Sequence, residues 1–288
     1  MSYNYDPELA SLLEFLPDVS LGISEPVKAR AGFLELVAQL NADIDQHGVA
    51  IHNRSIPGPT GAPDVAIRLY SPEGLEQAVP AILHIHGGGF VIGDLDSELG
   101  SCVALCRQLG VVVVSVDYRL APETPYPGPL EDCYAALEWV SSNSAQLSTD
   151  PARIAVFGQS AGGGLAAATC LLAKDRDGPD ICFQYLGIPE LDDRLQTPSM
   201  QRFVDTPMWN RPNAELSWDF YLGDQYQRGA DDVPYHAAPA RAEDLTGLPP
   251  AYISTMEFDP LRDEGVQYAL NLMQAGVATE LHSFPGTF

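Results

Sequence analysis

The sequence predicts an α/β protein: a mostly parallel, eight-stranded sheet with helices on both faces and a helical cap. Three observations carry that expectation. The 288 residues, 45% of them apolar, are enough to bury a substantial core within one domain. From the third strand candidate onward, apolar runs of strand length alternate with longer helical stretches, the order that builds parallel sheets through crossover helices. The 24 prolines stand between these runs as punctuation, with no repeat or low-complexity tract among them.

Taken in order, residues 1–45 read as amphipathic helix pieces. The first 20 residues have no basic opening and no unbroken apolar run, so they read as neither signal peptide nor anchor, and a cytoplasmic location is expected. Strand candidates follow at 49–56 (VAIHNRSI), 64–71 (DVAIRLYS), 80–86 (PAILHIH), 111–118 (VVVVSVDY), 153–158 (RIAVFG), 181–188 (ICFQYLGI), 250–257 (PAYISTME) and 277–284 (VATELHSF). Helices are expected at 95–110, 129–147, 160–176 and 260–276. Residues 190–245 form a Pro- and Trp-containing insertion outside this rhythm. Segments leaving the carboxyl ends of such strands lie over the ligand crevice, so the insertion reads as a lid. The expected organisation is an N-terminal helical segment over 1–45 and a core over 46–288, with 190–245 inserted as the lid.

A formal charge of −24 makes nucleic acid and anionic membrane surfaces poor partners. No run approaches the length of a membrane span. The five cysteines are odd in number and lack CxxC or His-paired spacing, so neither a disulfide framework nor a metal site is expected.

The sharpest chemical signal is RIAVFGQSAGGGLAAATCLL, where a strand runs through Gly158, Gln159, Ser160, Ala161 and Gly162 straight into a small-residue helix. A serine on such a turn projects its hydroxyl above the sheet as a nucleophile, and the helix N-terminus favours a developing oxyanion. A phosphate loop of the Walker type would need Gly-Lys-Ser/Thr, and no lysine is present here. The second signal is HGGGF after the third strand. Consecutive glycines pack nothing, but they allow backbone N–H groups to be aimed at an anion, as an oxyanion hole requires. Gly88 and Gly89 are the expected donors, with Ala161 as a third. His86 is read as bracing that loop, and His84 as a packed side chain. The third signal is MEFDPLRDEG, where Asp259 ends a strand and Pro260 is expected to open a helix. A carboxylate fixed there is suited to orient an imidazole, although helix capping would explain it too; Asp263 is the lesser candidate. Phe203, Trp209 and Trp218 are candidate pocket walls, with core packing as the plainer reading, and Glu190 is a further candidate facing the pocket.

HGGGF, DYRLAPE (Asp117 to Glu123), GQSAGGG and DPLRDEG, in this order, resemble the hormone-sensitive-lipase-like branch of the α/β-hydrolase fold family. PELDDRLQTPSM and LHSFPGTF resemble, within it, the heroin-esterase type of bacterial carboxylesterase. The resemblance spans essentially the whole chain, implies that the helices of 1–45 serve as cap together with 190–245, and has triads in the order Ser, Asp, His. It implies a serine carboxylesterase acting on small-molecule esters of short acyl chains, with no metal and no cofactor. It also implies that Arg119 and Glu123 brace the loop near the oxyanion glycines.

In that family the last strand leads into Gly-x-x-His, and the matching residues are Gly286, Thr287 and Phe288. The resemblance therefore places the triad histidine at the next position, followed by a final helix beside the last strand; both are missing from this stretch. The other histidines are poor substitutes: His282 lies well down the last strand, His236 in the insertion, and His47 and His52 near the surface. Loss of a triad histidine costs on the order of 10⁶-fold in kcat, so the residues as they stand are expected to be nearly inactive. Three explanations stay open: a truncated esterase, a non-catalytic small-ligand-binding protein like the plant gibberellin receptors, and a chain whose uncovered sheet face is closed by a second subunit in a homodimer. Amide or lactone hydrolysis by the same machinery also stays open.

Overall fold

The computed structural model describes residues 3–11, 13 and 22–288, so residues 1, 2, 12 and 14–21 of the expected N-terminal cap lie outside the described residues. Its centre is one eight-stranded sheet in the order β1-β2-β4-β3-β5-β6-β7-β8. The strands are β1 Val49–Ile56, β2 Val65–Pro72, β3 Val79–Ile85, β4 Val112–Asp117, β5 Thr149–Gln159, β6 Phe183–Gly187, β7 Ala251–Met256 and β8 Thr279–Phe284. β2 runs antiparallel to both β1 and β4, and every other pairing is parallel. The eight expected strands are thus present, in a mostly parallel sheet. β5 starts earlier than its apolar run because Thr149 pairs with Val79 before a register shift, and polar Asp150 and Arg153 fall in that stretch.

The helices are α1 Pro7–Ala10, α2 Pro26–Asn41, α3 Leu99–Leu109, α4 Gly128–Ser142, α5 Ser144–Leu147, α6 Ala161–Asp175, α7 Pro198–Arg202, α8 Arg211–Leu222 and α9 Arg262–Gln274. Two apolar clusters mark the two sheet faces. Leu99, Cys102, Val103 and Cys106 of α3 pack on Tyr70, Ile82 and Val113, while α4, α6 and α9 pack on the other face with Leu83, Val114 and Val156. Nearly every residue of α6 is buried, which its Ala- and Gly-rich sequence permits by letting the helix lie close to the sheet.

Three helix boundaries differ from expectation for local reasons. Residues 95–98 form a turn because the Asp94 carboxylate accepts the N–H groups of Asp96 and Ser97 and the Ser97 hydroxyl. The stretch 129–147 breaks at Asn143, whose side chain donates to the Trp139 carbonyl and whose backbone leaves the helical region. Pro260 does not open a helix: α9 starts at Arg262, because Asp259 accepts the Leu261 N–H and holds 259–261 as a separate turn.

All the parallel strands point their carboxyl ends to one edge of the sheet, where β3, β5, β6 and β7 stop at Ile85, Gln159, Gly187 and Met256. Residues 190–245 carry α7 and α8 and return over that edge: Ser217 on α8 reaches the loop after β3. From the N-terminal side, Arg30 on α2 donates to the carbonyls of Val91 and Ala121 and to the Glu123 carboxylate. All five cysteines are free, four of them buried. Among the described residues no helix is long and apolar enough to cross a membrane.

Candidate active site

Where β5 ends, Ser160 takes φ 54 and ψ −124 before the chain enters α6. A non-glycine residue in such a region costs roughly 1–3 kcal/mol and persists only where its surroundings hold it. Here the Ser160 N–H donates to the Gly187 carbonyl at 2.8 Å, and the Ser160 carbonyl accepts from Gly164 and Glu190, each at 3.0 Å. The turn also needs its glycines: a Cβ added at Gly162 would overlap the carbonyl oxygen of Ile85, so only glycine lets α6 begin against the end of β3. Ser160 is half-buried, and its hydroxyl makes no hydrogen bond with any described residue.

The glycine loop lies against this turn: a Cβ on Gly87 would stand 3.5 Å from that of Ser160. Gly88 has φ 117, open to glycine alone, and its carbonyl accepts the N–H groups of Val91 and Ile92 at 3.0 Å. Those bonds hold the peptide whose other end is the Gly89 N–H. The Gly89 carbonyl accepts the Ser217 hydroxyl at 3.0 Å, and the Phe90 carbonyl accepts the Ala121 N–H at 2.9 Å. The N–H groups of Gly88, Gly89 and Ala161 donate to nothing among the described residues. Three uncommitted donors around a serine at a helix N-terminus can stabilise an oxyanion.

His86 is fully buried, stacked on Tyr118 at 4.1 Å between ring centres. Burial pushes its imidazole down to about 4, so it is neutral at ordinary pH. Its Nδ1 lies 2.7 Å from the Gly87 carbonyl, so Nδ1 carries the proton and donates. The Tyr118 hydroxyl in turn donates to the His86 carbonyl at 3.0 Å. The LAPE segment departs in part from expectation: Arg119 forms a two-pronged pair with Asp132 of α4, not with the glycine loop, because the buried Asp132 needs a cationic partner. Glu123 reaches the loop only through Arg30.

Asp259 follows β7 and is 5% exposed. One carboxyl oxygen accepts the Leu261 N–H at 2.7 Å. Burial raises the group to about 7, against the smaller opposing effects of the Leu261 N–H and the Arg262 charge. Beside it runs the turn after β8: Phe258 N–H donates to the Thr287 carbonyl at 2.9 Å, and Gly286 N–H to the Glu257 carboxylate at 2.7 Å. Asp263, the lesser candidate, is instead tied to α7 through the Ser199 N–H at 2.8 Å and to Arg262.

None of the six histidines hydrogen-bonds to Ser160 or Asp259. His282 pairs with Glu280 and His236 with Asp175, each at 2.7 Å; His47 and His52 are exposed; His84 is buried and stacked on Phe157. Of the three candidate wall aromatics, Trp209 stands against Gly89, where an added Cβ would overlap its ring. Phe203 packs edge-on against Phe258, the neighbour of Asp259, while Trp218 is fully buried against Phe90 and Tyr221. Glu190 is fully buried, linked to the Ser160 turn by its own N–H. Sequence reasoning missed Ser217, Arg30 and Tyr118, which tie down the loop; a lone serine or arginine in an amphipathic helix carries no motif that could have singled it out.

The sequence profile of the α/β-hydrolase fold family matches residues 82–288. Carboxylesterase NlhH of Mycobacterium tuberculosis is 40% identical over 291 residues, covering 97% of this chain and 86% of that protein. An arylesterase of Saccharolobus solfataricus is 36% identical over 247 residues, covering 78% of this chain and 74% of its own. Among solved structures, a bacterial heroin esterase superposes with a TM-score of 0.96 at 55% identity, covering 99% of this chain and 90% of that one.

Proposed function

This chain belongs to the α/β-hydrolase fold family, and on that premise we propose that it is a carboxylic ester hydrolase working on short-acyl, small-molecule esters through an acyl-enzyme on Ser160. One observation carries the reading: a serine held at positive φ, its hydroxyl uncommitted, lies beside a glycine loop whose N–H groups are equally uncommitted. In this mechanism Ser160 Oγ attacks the ester carbonyl. The carbonyl oxygen becomes an oxyanion held by the N–H groups of Gly88, Gly89 and Ala161; collapse expels the alcohol, and water then releases the acid. Each step needs a base to take the incoming proton and return it to the leaving oxygen. Asp259 is suited to orient an imidazole, and the Gly286–Phe288 turn, bonded to Phe258, is where a residue bearing one would be presented. The N-terminal helices and residues 190–245 act as cap, with Trp209 against Gly89 limiting the acyl group.

The experiment compares three proteins on p-nitrophenyl acetate: the 288-residue chain, the same chain continued by a tail placing histidine directly after Phe288, and the continued chain with Ser160→Ala. The tail is expected to raise kcat by on the order of 10⁶-fold, and Ser160→Ala to remove that gain. Hydrolysis that stays at background with the tail present would count against the esterase reading. It would favour the non-catalytic ligand-binding alternative, which a Ser160 hydroxyl with no histidine bonded to it also suits. A matched panel of esters, amides and lactones separates esterase from amidase or lactonase, since the tetrahedral chemistry is shared.

A further inference from the structure

Glu190 lies three residues beyond the end of β6 with no exposed surface, and neither of its carboxyl oxygens accepts a hydrogen bond of good geometry from any described residue. Such a group calls for a reason, because a buried polar atom left unpaired is costly. Its main chain is part of the nucleophile turn, through the N–H given to the Ser160 carbonyl. Its carboxyl lies beside the Ser217 hydroxyl, which donates to the Gly89 carbonyl at 3.0 Å. A hydroxyl has one hydrogen to give, so Ser217 Oγ, with that hydrogen committed to Gly89, faces Glu190 as an acceptor.

The titratable groups around the carboxyl are Asp259 after β7, Glu264 on α9 and Tyr118 after β4, and none of them is cationic. Burial, with the Asp259 charge adding to it, pushes Glu190 up to about 8. At neutral pH the carboxyl therefore keeps the proton that Ser217 can accept.

Resting on the esterase reading of this site, we propose that Glu190 is a positioning residue: its carboxyl O–H donates to Ser217 Oγ, Ser217 donates to the Gly89 carbonyl, and this relay fixes the loop that carries the oxyanion donors. The relay ties the turn of Ser160 to the loop of Gly88 and Gly89 through one side chain. A leucine would fill the same space but leave Ser217 free to turn its hydrogen away. An ionised Glu190 would give no proton and would put a negative charge next to the developing oxyanion.

The test has two readouts, the first on the 288-residue chain and the second on the histidine-continued chain. The ¹H–¹⁵N resonance of Phe90, whose amide shares a peptide group with the Gly89 carbonyl, reports the bond to that carbonyl without needing turnover. Hydrolysis of p-nitrophenyl acetate, with kcat and KM separated, reports oxyanion stabilisation. Glu190→Ala and Ser217→Ala are expected to shift the Phe90 resonance and to lower kcat about 10-fold with KM changed less than about two-fold. The double variant should be no worse than either single, since both break one relay. Glu190→Gln, which keeps a neutral donor in place, should recover most of what Glu190→Ala loses. If Glu190→Ala does not fold, the decision passes to a pH titration of the Phe90 resonance: it must move in the parent as Glu190 loses its proton and stay still in Glu190→Gln, and a parent resonance that does not titrate overturns the relay. A Phe90 resonance unmoved by removing either side chain, or losses that add in the double variant, overturns the relay. Failure of the esterase reading shows differently, as absence of turnover even in the histidine-continued chain with the Phe90 response intact.

Discussion

At Glu190, burial sets a pH signature on stability. Its carboxyl titrates near 4.5 when unfolded and is raised to about 8 in the fold, so between those values the folded chain binds the extra proton. The contribution is fully present below the unfolded value and is lost as pH rises through the folded one. Glu190→Gln cannot titrate, so its stability relative to the parent should improve by about 1.4 kcal/mol for each pH unit across that window, as urea titrations at pH 5, 6, 7 and 8 would measure. A difference that stays constant with pH would mean that Glu190 is ionised in the fold. Asp259 has the same sign up to about 7, through the same desolvation. Residues on motifs were legible in the sequence because their chemistry demands a local pattern: Ser160 needs small neighbours within the turn, and Gly88 a conformation closed to side chains. Ser217 and Arg30 were not, because each acts across a long sequence gap on a carbonyl oxygen, and carbonyls leave no trace in residue type.

At the scale of elements, α2 is tied to the strand-end loops mainly through Arg30, with Asn41 adding one bond to the Asp96 carbonyl. Arg30 gives hydrogen bonds to Val91, Ala121 and Glu123, so it joins the N-terminal helix to the strand-end loops while only Val37 of the helix is buried. Arg30→Ala is expected to lower the opening free energy of α2 by about 2 kcal/mol, seen as faster amide exchange across 26–41 with β3 and β5 unchanged. Equal loss of protection in the sheet would show instead that α2 is part of the core. Strands were easier to read than helices because an apolar run buried on both faces has nothing else to be, as with VVVSVD in β4. Helix ends turned on single side chains: Asp94, Asn143 and Asp259 each take a backbone hydrogen bond, or give one, that stops or delays a helix.

Across the whole molecule, the sheet gathers at one edge what the sequence spreads from Gly87 to Asp259. Parallel strands β3, β5, β6 and β7 end together, so the glycine loop, Ser160, Glu190 and Asp259 become neighbours by topology alone. The α/β alternation made that edge readable from the sequence; the seating of α2 and α8 on it came from long-range contacts that no local pattern encodes. As the proposed nucleophile, Ser160 must take up an acyl group. Brief reaction of the histidine-continued chain with p-nitrophenyl acetate, acid quenching and peptide mass spectrometry read that acylation. A single acetyl group on the peptide containing Ser160, absent after Ser160→Ala, is the predicted result. Acetylation elsewhere with that peptide unmodified, or full turnover by Ser160→Ala, would contradict it.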